Sequence, residues 1–505
     1  MLPKPFGTGP AHFVAFRPAK DFFTHRPSSP PYVTVIYINE DFTCVEEEWL
    51  KDIIVKFEKL DDIELTPRSY KLLQSLCTRW MEVADTANPV SSPPPGVYYV
   101  IDKQLHDIWK LYEDSHGAFL TALVPGVDGR LSQFQIGAVP SRFQITATPS
   151  HPLGGWRVTT SVCNRAFYEL YPSPFQTTAC IRLLQEKGAP PWNYRADGHQ
   201  SPAGSSSGSG VAFASYQWVD IAVGSDTSGS GRRPGHWNGC FAYRPSHGVL
   251  LVEATTVPPE IIYPTEYMSF ITNKDQLKII DNFVADLEKS LGVKQKRVSF
   301  NEVWDSDRPE EAKGETRNSF FHDDYHNFDE FREDYQKAFK KTPYVSPPVR
   351  WQWNLSAGIT KEERDIAVYR LSVYEKWCLE KILQIGTHNT IILIPIENTT
   401  PRYRNESLGR YFNPVGVPML FVAPILKAPK FTVPIGEVPF LSKVTGNVEQ
   451  LLVAISLLGV PCRHLELTDI ASDCRVILFG RQKPEASTSL PKILRHSTKP
   501  TFRRF

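Results

Sequence analysis

Apolar residues recur at two different spacings along the chain, and the change of spacing divides it. Near the N-terminus, Tyr32-Val33-Thr34-Val35-Ile36-Tyr37 is rich in β-branched and aromatic residues and predicts a strand. Helical periodicity follows over 46–60 and again over 67–84. The Pro-rich stretch 89–95 predicts a loop between elements. A boundary is expected at Ala138-Val139-Pro140, so residues 1–138 read as an α+β accessory block and 139–505 as a larger domain.

Beyond that boundary the pattern becomes α/β. Thr177 reads as the N-cap of a helix that contains Ile181 and Leu184 and closes at Gly188. Leu277, Ile280, Val284, Leu287 and Leu291 recur at helical spacing and stop at Gly292. Thr390-Ile391-Ile392-Leu393-Ile394 is a short continuous apolar run before Pro395, which suits a strand buried on both faces, as in a mostly parallel sheet. Val448, Leu451, Leu452, Ile455 and Leu458 predict one more amphipathic helix ending at a glycine. The stretch 302–333 is charged and aromatic and reads as a surface excursion. Strands alternating with helices make a layered α/β fold the expectation.

Charge narrows the function classes. Lys and Arg total 56 and Asp and Glu 55, a net charge of +1, so nothing argues for nucleic acid or an anionic membrane surface as partner. No run is long and apolar enough to span a bilayer, and the first residues lack a charged region followed by an apolar stretch. The 8 cysteines are scattered, without a CxxC pair, which reads as reduced thiols in a cytoplasmic chain. No cofactor is implied, and the oligomeric state is left open.

The stretch 201–248 carries the chemistry. It opens Ser201-Pro202-Ala203-Gly204-Ser205-Ser206-Ser207-Gly208-Ser209-Gly210 and continues apolar from 211 to 223. Gly224-Ser225-Asp226-Thr227-Ser228-Gly229-Ser230-Gly231-Arg232-Arg233-Pro234 follows, then Arg244-Pro245-Ser246-His247-Gly248. A flexible linker fits poorly, because an apolar run is tied directly to the Gly/Ser segment. Phosphate binding fits poorly too, since the P-loop lysine is absent and the spacing is not GxGxxG. The remaining reading is a nucleophile with an oxyanion hole. Glycine at 229 lets several backbone N–H groups converge on one point, where they stabilise the oxygen of a tetrahedral intermediate. A serine at the end of that turn attacks a carbonyl, and a second serine passes its proton to a base.

Two serine/glycine runs at this separation, the second reading GSDTSGSGRRP, resemble the amidase signature family of serine hydrolases. The later RPSHG occupies the place of a similar family motif, and the flanks Asn193-Tyr194-Arg195-Ala196-Asp197-Gly198 and Phe431-Thr432-Val433-Pro434-Ile435-Gly436 extend the likeness. The N-terminal block resembles the extra domain of fungal amidases related to scytalone dehydratase-like proteins. The resemblance implies a mixed central sheet flanked by helices and a small-molecule carboxylic amide as substrate. It also implies a Ser–cis-Ser–Lys triad without cofactor or metal. Carried over residue by residue, Ser230 matches the acylating serine and Ser205 the relay serine that follows a cis peptide, with Ser206 the alternative one residue on. Thr227, Ser228 and Gly229 match the oxyanion-hole positions. Asp226 and Arg232 match charged positions that hold the loop together.

The chain departs from the family where the base should be. The family's lysine lies in a strand upstream of the first serine, buried so that it stays neutral. Here Leu153 to Val158 resemble the run into that strand, and Thr159 to Arg165 the run several residues beyond it. Family sequence is also missing near 189 and near 258. Three clean excisions point to a mis-predicted or alternatively spliced gene product, and an inactive amidase-like binding protein is the competing expectation. A third reading, ammonia transfer within a larger amidotransferase complex, is disfavoured by the extra N-terminal block. Other tempting residues have plainer readings. His322 and His326 lack a third metal ligand, His199 and His247 are loop residues, and Lys187 is solvated at a helix end. Cys163 and Cys240 are buried thiols.

Overall fold

The computed structural model describes residues 196–247, 257–312, 318–406 and 417–479 almost without interruption. Upstream it describes short segments, chiefly strands, between residues 4 and 160, the longest being 104–116. The expected helices at 46–60, 67–84 and after Thr177, the loop at 89–95, Cys163 and Lys187 lie outside the described residues, as does the junction near 189.

The upstream strands are β1 (Lys4–Thr8), β2 (Ala11–Asp21), β3 (Tyr32–Val35), β4 (Gly96–Ile101), β5 (Gln104–Leu111), β6 (Ala122–Pro125), β7 (Leu131–Phe134) and β8 (Ala138–Pro140). Six of them form one sheet, in the order β1-β2-β5-β4-β3 with β8 paired to β5, while β6 and β7 form a separate hairpin. The strand expected at Tyr32 is therefore present. The residues of the expected boundary, Ala138–Pro140, themselves form a strand of this first sheet.

The second sheet organises the rest of the chain. Its strands are β11 (Ala242–Arg244), β12 (Pro259–Pro264), β13 (Gln295–Val298), β14 (Asn389–Pro395), β15 (Lys430–Leu441) and β16 (Val448–Leu458). Their order is β11-β15-β16-β14-β12-β13. β14–β12 and β12–β13 pair parallel, whereas β11–β15, β15–β16 and β16–β14 pair antiparallel. The sheet is mixed rather than mostly parallel, because the β15–β16 hairpin supplies its antiparallel half.

Strand geometry sends successive side chains to opposite faces, and both faces are covered. Ile261, Tyr263, Ile391, Leu393, Val453, Ile455 and Leu457 point into one core, where Ile280, Phe283, Val284 and Leu287 of the helix Lys274–Leu291 meet them. Ile262, Ile392, Ile394 and Leu458 point into the other, against Tyr374, Trp377 and Cys378. An α/β fold with a mixed central sheet between helical layers results. The helix Lys274–Leu291 follows its sequence signals closely. Asn273 caps it by accepting from the N–H groups of Asp275 and Gln276, and Gly292 ends it at φ 68°, a left-handed conformation suited to glycine.

One expectation needs correction. Residues 448–458 are a strand, not a helix: the helically spaced positions are a subset of a nearly continuous apolar run, and such a run buried on both faces suits a strand equally well. In the stretch read as a surface excursion, the described residues 302–312 and 318–333 are mostly helical, and Phe321 and Phe331 are buried. No described helix is long and apolar enough to cross a membrane.

Candidate active site

Both serine-rich runs fold into loop-to-helix turns, and the two turns touch. The first leads into α1 (Ser207–Ser215), the second into α2 (Arg232–Asn238). The backbone N–H of Ser206 donates to the carbonyl of Ser230 at 3.0 Å. The two helices lie close because Gly210 has no side chain: a Cβ there would stand 2.8 Å from Cβ of Pro234. Asn238 completes the joint, donating through Nδ2 to the carbonyls of Pro202 (3.1 Å) and Pro234 (2.9 Å).

Within the first turn, the bond from Gly204 to Ser205 is a cis peptide bond, and Ser205 is exposed. Ser206 is buried with a different duty. Its hydroxyl donates to the carbonyl of Ser225 and accepts from the N–H of the same residue, each at 3.1 Å, which fastens the first turn to the start of the second.

The second turn is wound around Asp226. One carboxylate oxygen accepts from the N–H of Gly229 at 2.9 Å; the other accepts from the N–H groups of Gly231 (3.0 Å) and Arg232 (2.9 Å). The Arg232 side chain adds a two-pronged contact, Nε to one oxygen at 2.9 Å and Nη2 to the other at 2.7 Å. Burial alone would raise the carboxyl's pKa, but the hydrogen bonds and charge of Arg232, with the backbone donors, bring it down to about 2. Arg244, from the later Arg-Pro-Ser motif, donates through Nε to the Asp226 carbonyl at 3.1 Å, and Ser246 accepts from the N–H of Cys462 at 3.1 Å. That motif is thus a brace behind the turn.

Ser230 stands at the end of this turn, half-buried. Gly229 has φ +111°, and a Cβ there would lie 2.9 Å from Cδ1 of Leu420, so only glycine fits without displacing a neighbour. Of the three backbone groups expected to form an oxyanion hole, the Gly229 N–H is occupied by Asp226. Among the described residues the N–H groups of Thr227, Ser228 and Ser230 have no protein acceptor. Thr227 is exposed and Ser228 half-buried.

Sequence reasoning missed a second set of groups around the same turn. Arg233 and Trp237 lie one helical turn apart on α2 and both hold Glu397: the Arg233 guanidinium contacts one oxygen and Trp237 Nε1 donates to the other at 2.7 Å. Arg402 Nη1 donates to that second oxygen at 3.1 Å. Burial works against the Glu397 charge, yet the two arginines keep its pKa below the usual carboxylate range. His236 is fully buried, with Nε2 3.0 Å from the Leu452 carbonyl, and burial lowers its pKa. Lys430, at the start of β15, has no exposed surface. Its Nζ reaches the Met419 carbonyl at 3.4 Å, and burial together with the nearby Arg232 charge drives its pKa well below the ordinary lysine value. The adjacent arginines 232 and 233 were the available hint; nothing in the sequence pattern marked Glu397, Arg402 or Lys430 as neighbours.

The position expected to hold a lysine base holds none. β9 (Val158–Thr160) runs unbroken through the Val158–Thr159 junction and pairs parallel with β10 (Ile221–Val223), just before the second turn. Asp197 of the first flank accepts from the hydroxyl of Ser442 at 2.6 Å, six residues beyond the Phe431–Gly436 stretch on the same hairpin. The remaining tempting residues keep plain surroundings. His322 and His326 pair with Asp323 and Asp329, and no group of metal-binding residues occurs among the described residues. The N–H of His247 donates to the Lys427 carbonyl at 3.3 Å, and Cys240 is a buried free thiol.

These turns coincide with the segment that has recognised relatives. Residues 189–254 match the family model described as Amidase. The chain is 34% identical over 119 residues to a component of the mitochondrial glutamyl-tRNA(Gln) amidotransferase of Coccidioides posadasii, a match covering 19% of this chain and 23% of the relative. It is 53% identical over 49 residues to Amidase 1 of Arabidopsis thaliana, covering 10% of this chain and 11% of that protein. The chain thus spans about a quarter or less of the length of these relatives. A crystal structure of an amidase aligns over 66% of this chain and 85% of its own, at 17% identity and a TM-score of 0.43. The structure of 6-aminohexanoate cyclic dimer hydrolase aligns over 67% and 86%, at 13% identity and a TM-score of 0.47. The segment with both serine turns is the part of the chain that matches the Amidase family model.

Proposed function

We propose that the chain is an amide hydrolase of the amidase signature type, working through a serine acyl-enzyme. The observation that carries this reading is the hydrogen bond from the Ser206 N–H to the Ser230 carbonyl, which sets the two serine turns side by side. In this reading the hydroxyl of Ser230 attacks the carbonyl carbon of a small carboxylic amide. The N–H groups of Thr227, Ser228 and Ser230 take the developing oxyanion, while the Gly229 N–H serves Asp226 instead. Ser205 relays the proton, giving its own to the departing amine as it takes that of Ser230, and water then hydrolyses the acyl-enzyme. Asp226 and Arg232 hold the turn's shape. The free cysteines at 240, 378, 462 and 474 support a reducing, cytoplasmic setting.

One observation favours a second reading. β9 carries no lysine at the place the resemblance assigns to the base, so the chain is either an impaired hydrolase or an inactive amidase-like binding protein. Removing the base from such a triad typically costs several powers of ten in rate, with a residue of catalysis left by the oxyanion donors. A fluorophosphonate probe separates the two. Labelling that disappears in Ser230→Ala supports the hydrolase; well-folded protein that takes no label supports the binding protein.

A further inference from the structure

A cavity of about 430 Å³ opens beside α2, the helix that follows the Ser230 turn, bordered by Trp237, Glu397, Arg402, Tyr403, Glu406 and Met419. We propose that it is a subsite for a carboxylate group of the substrate, with Arg402 the residue that selects it; this rests on the amide-hydrolase reading above.

Arg402 is tied to both serine segments. Its N–H donates to Oε1 of Gln200 at 2.6 Å and its carbonyl accepts from the N–H of Ser201 at 2.7 Å, just before the Ser205 turn. Its Nη1 meets Glu397, which Arg233 and Trp237 of α2 hold from the Ser230 side. On another wall, Met419 immediately precedes Leu420, whose side chain lies against Gly229. Residues lining the cavity are thus joined to both serine segments, Arg402 through Ser201 and Gln200, and Trp237 through its place on α2.

The charges decide what it takes. Two guanidinium groups, Arg233 and Arg402, face the single carboxylate of Glu397, which leaves one positive charge in excess. Both oxygens of Glu397 are already engaged, and Glu406 is paired with Lys443, so neither carboxylate offers a site to a cation. Arg402 commits only Nη1 to a side-chain acceptor, and its Nε and Nη2 have no protein partner among the described residues. A fixed guanidinium edge with two donors to spare suits a carboxylate. Trp237, Tyr403 and Met419 supply apolar wall for the carbon chain between that carboxylate and the scissile amide.

The test compares monoamides of succinic, glutaric and adipic acid with the matching diamides, by calorimetric binding to the full chain. The wild type should prefer at least one monoamide carboxylate over its diamide by about tenfold or more, and added salt should erode the preference. In Arg402→Gln the preference should fall close to unity, while Arg402→Lys should retain part of it. Equal or tighter binding of the diamides, or no saturable carboxylate binding, overturns the subsite on the wild type alone, whatever the variants do. Fluorophosphonate labelling in parallel keeps the two readings apart. Ser230 labelled without carboxylate preference sinks the subsite only; preference without labelling sinks the hydrolase and leaves the subsite.

Discussion

Asp226 and Arg232 are joined by two side-chain hydrogen bonds of 2.9 and 2.7 Å, and Arg232 is only 1% exposed. The pair sits inside the turn that ends in Ser230, so the carboxylate serves the backbone and the buried guanidinium at once. Replacing Asp226 by Asn leaves a buried cation without its counter-charge, at a cost of about 3–5 kcal/mol. It should also abolish labelling of Ser230. Because the folded carboxyl's pKa is depressed from 3.8 to about 2, its stabilisation is complete above the unfolded value and is lost as pH falls through about 2. Denaturant melts of wild type and Asp226→Asn at neutral pH check the first point. Equal midpoints would contradict it.

Lys430 shows the opposite relationship between charge and burial. Its folded pKa lies well below 10.5, so between that lowered value and 10.5 the unfolded chain holds a proton that the folded chain does not. Stability therefore rises with pH up to the unfolded value of 10.5. Lys430→Met should be more stable than wild type at about pH 7, and the gap should narrow towards about pH 10. Thermal melts at both values measure this. A gap that stays constant or widens would show Lys430 charged in the folded protein.

His236 adds an acid limb. Burial lowers its folded pKa below 6.5, against the attraction of Glu397 and with help from Arg233 and Arg402. The unfolded chain gains a proton as pH drops through 6.5 while the folded chain stays neutral, so stability declines in that range. His236→Gln should flatten the decline between about pH 7 and pH 5. An unchanged slope would assign it to other groups.

The sequence made some of this architecture legible and not the rest, for physical reasons. Helix Lys274–Leu291 was readable because it is amphipathic and closed by Gly292, so periodicity and a stop signal agree. Strand β14 was readable as a short run buried on both faces. β16 was not, because a nearly continuous apolar run contains helical and strand spacings alike, and only pairing with β15 decides between them. At the site, the motif placed Ser205, Ser230, Asp226 and Arg232 in two short stretches that local order brings together. Glu397 and Arg402 lie far along the chain from Arg233, and no local pattern announces an ion pair made between such distant segments. The Gly229 N–H illustrates a finer limit: whether it points at a ligand or at Asp226 depends on a side-chain rotamer, which spacing does not encode.

The most direct measurement is fluorophosphonate labelling of the full chain, with the modified residue located by peptide mass spectrometry. Labelled Ser230, lost in Ser230→Ala and weakened in Ser205→Ala, is the expected result. Folded protein that stays unmodified at Ser230, or label carried on another serine, would contradict the assignment of the nucleophile.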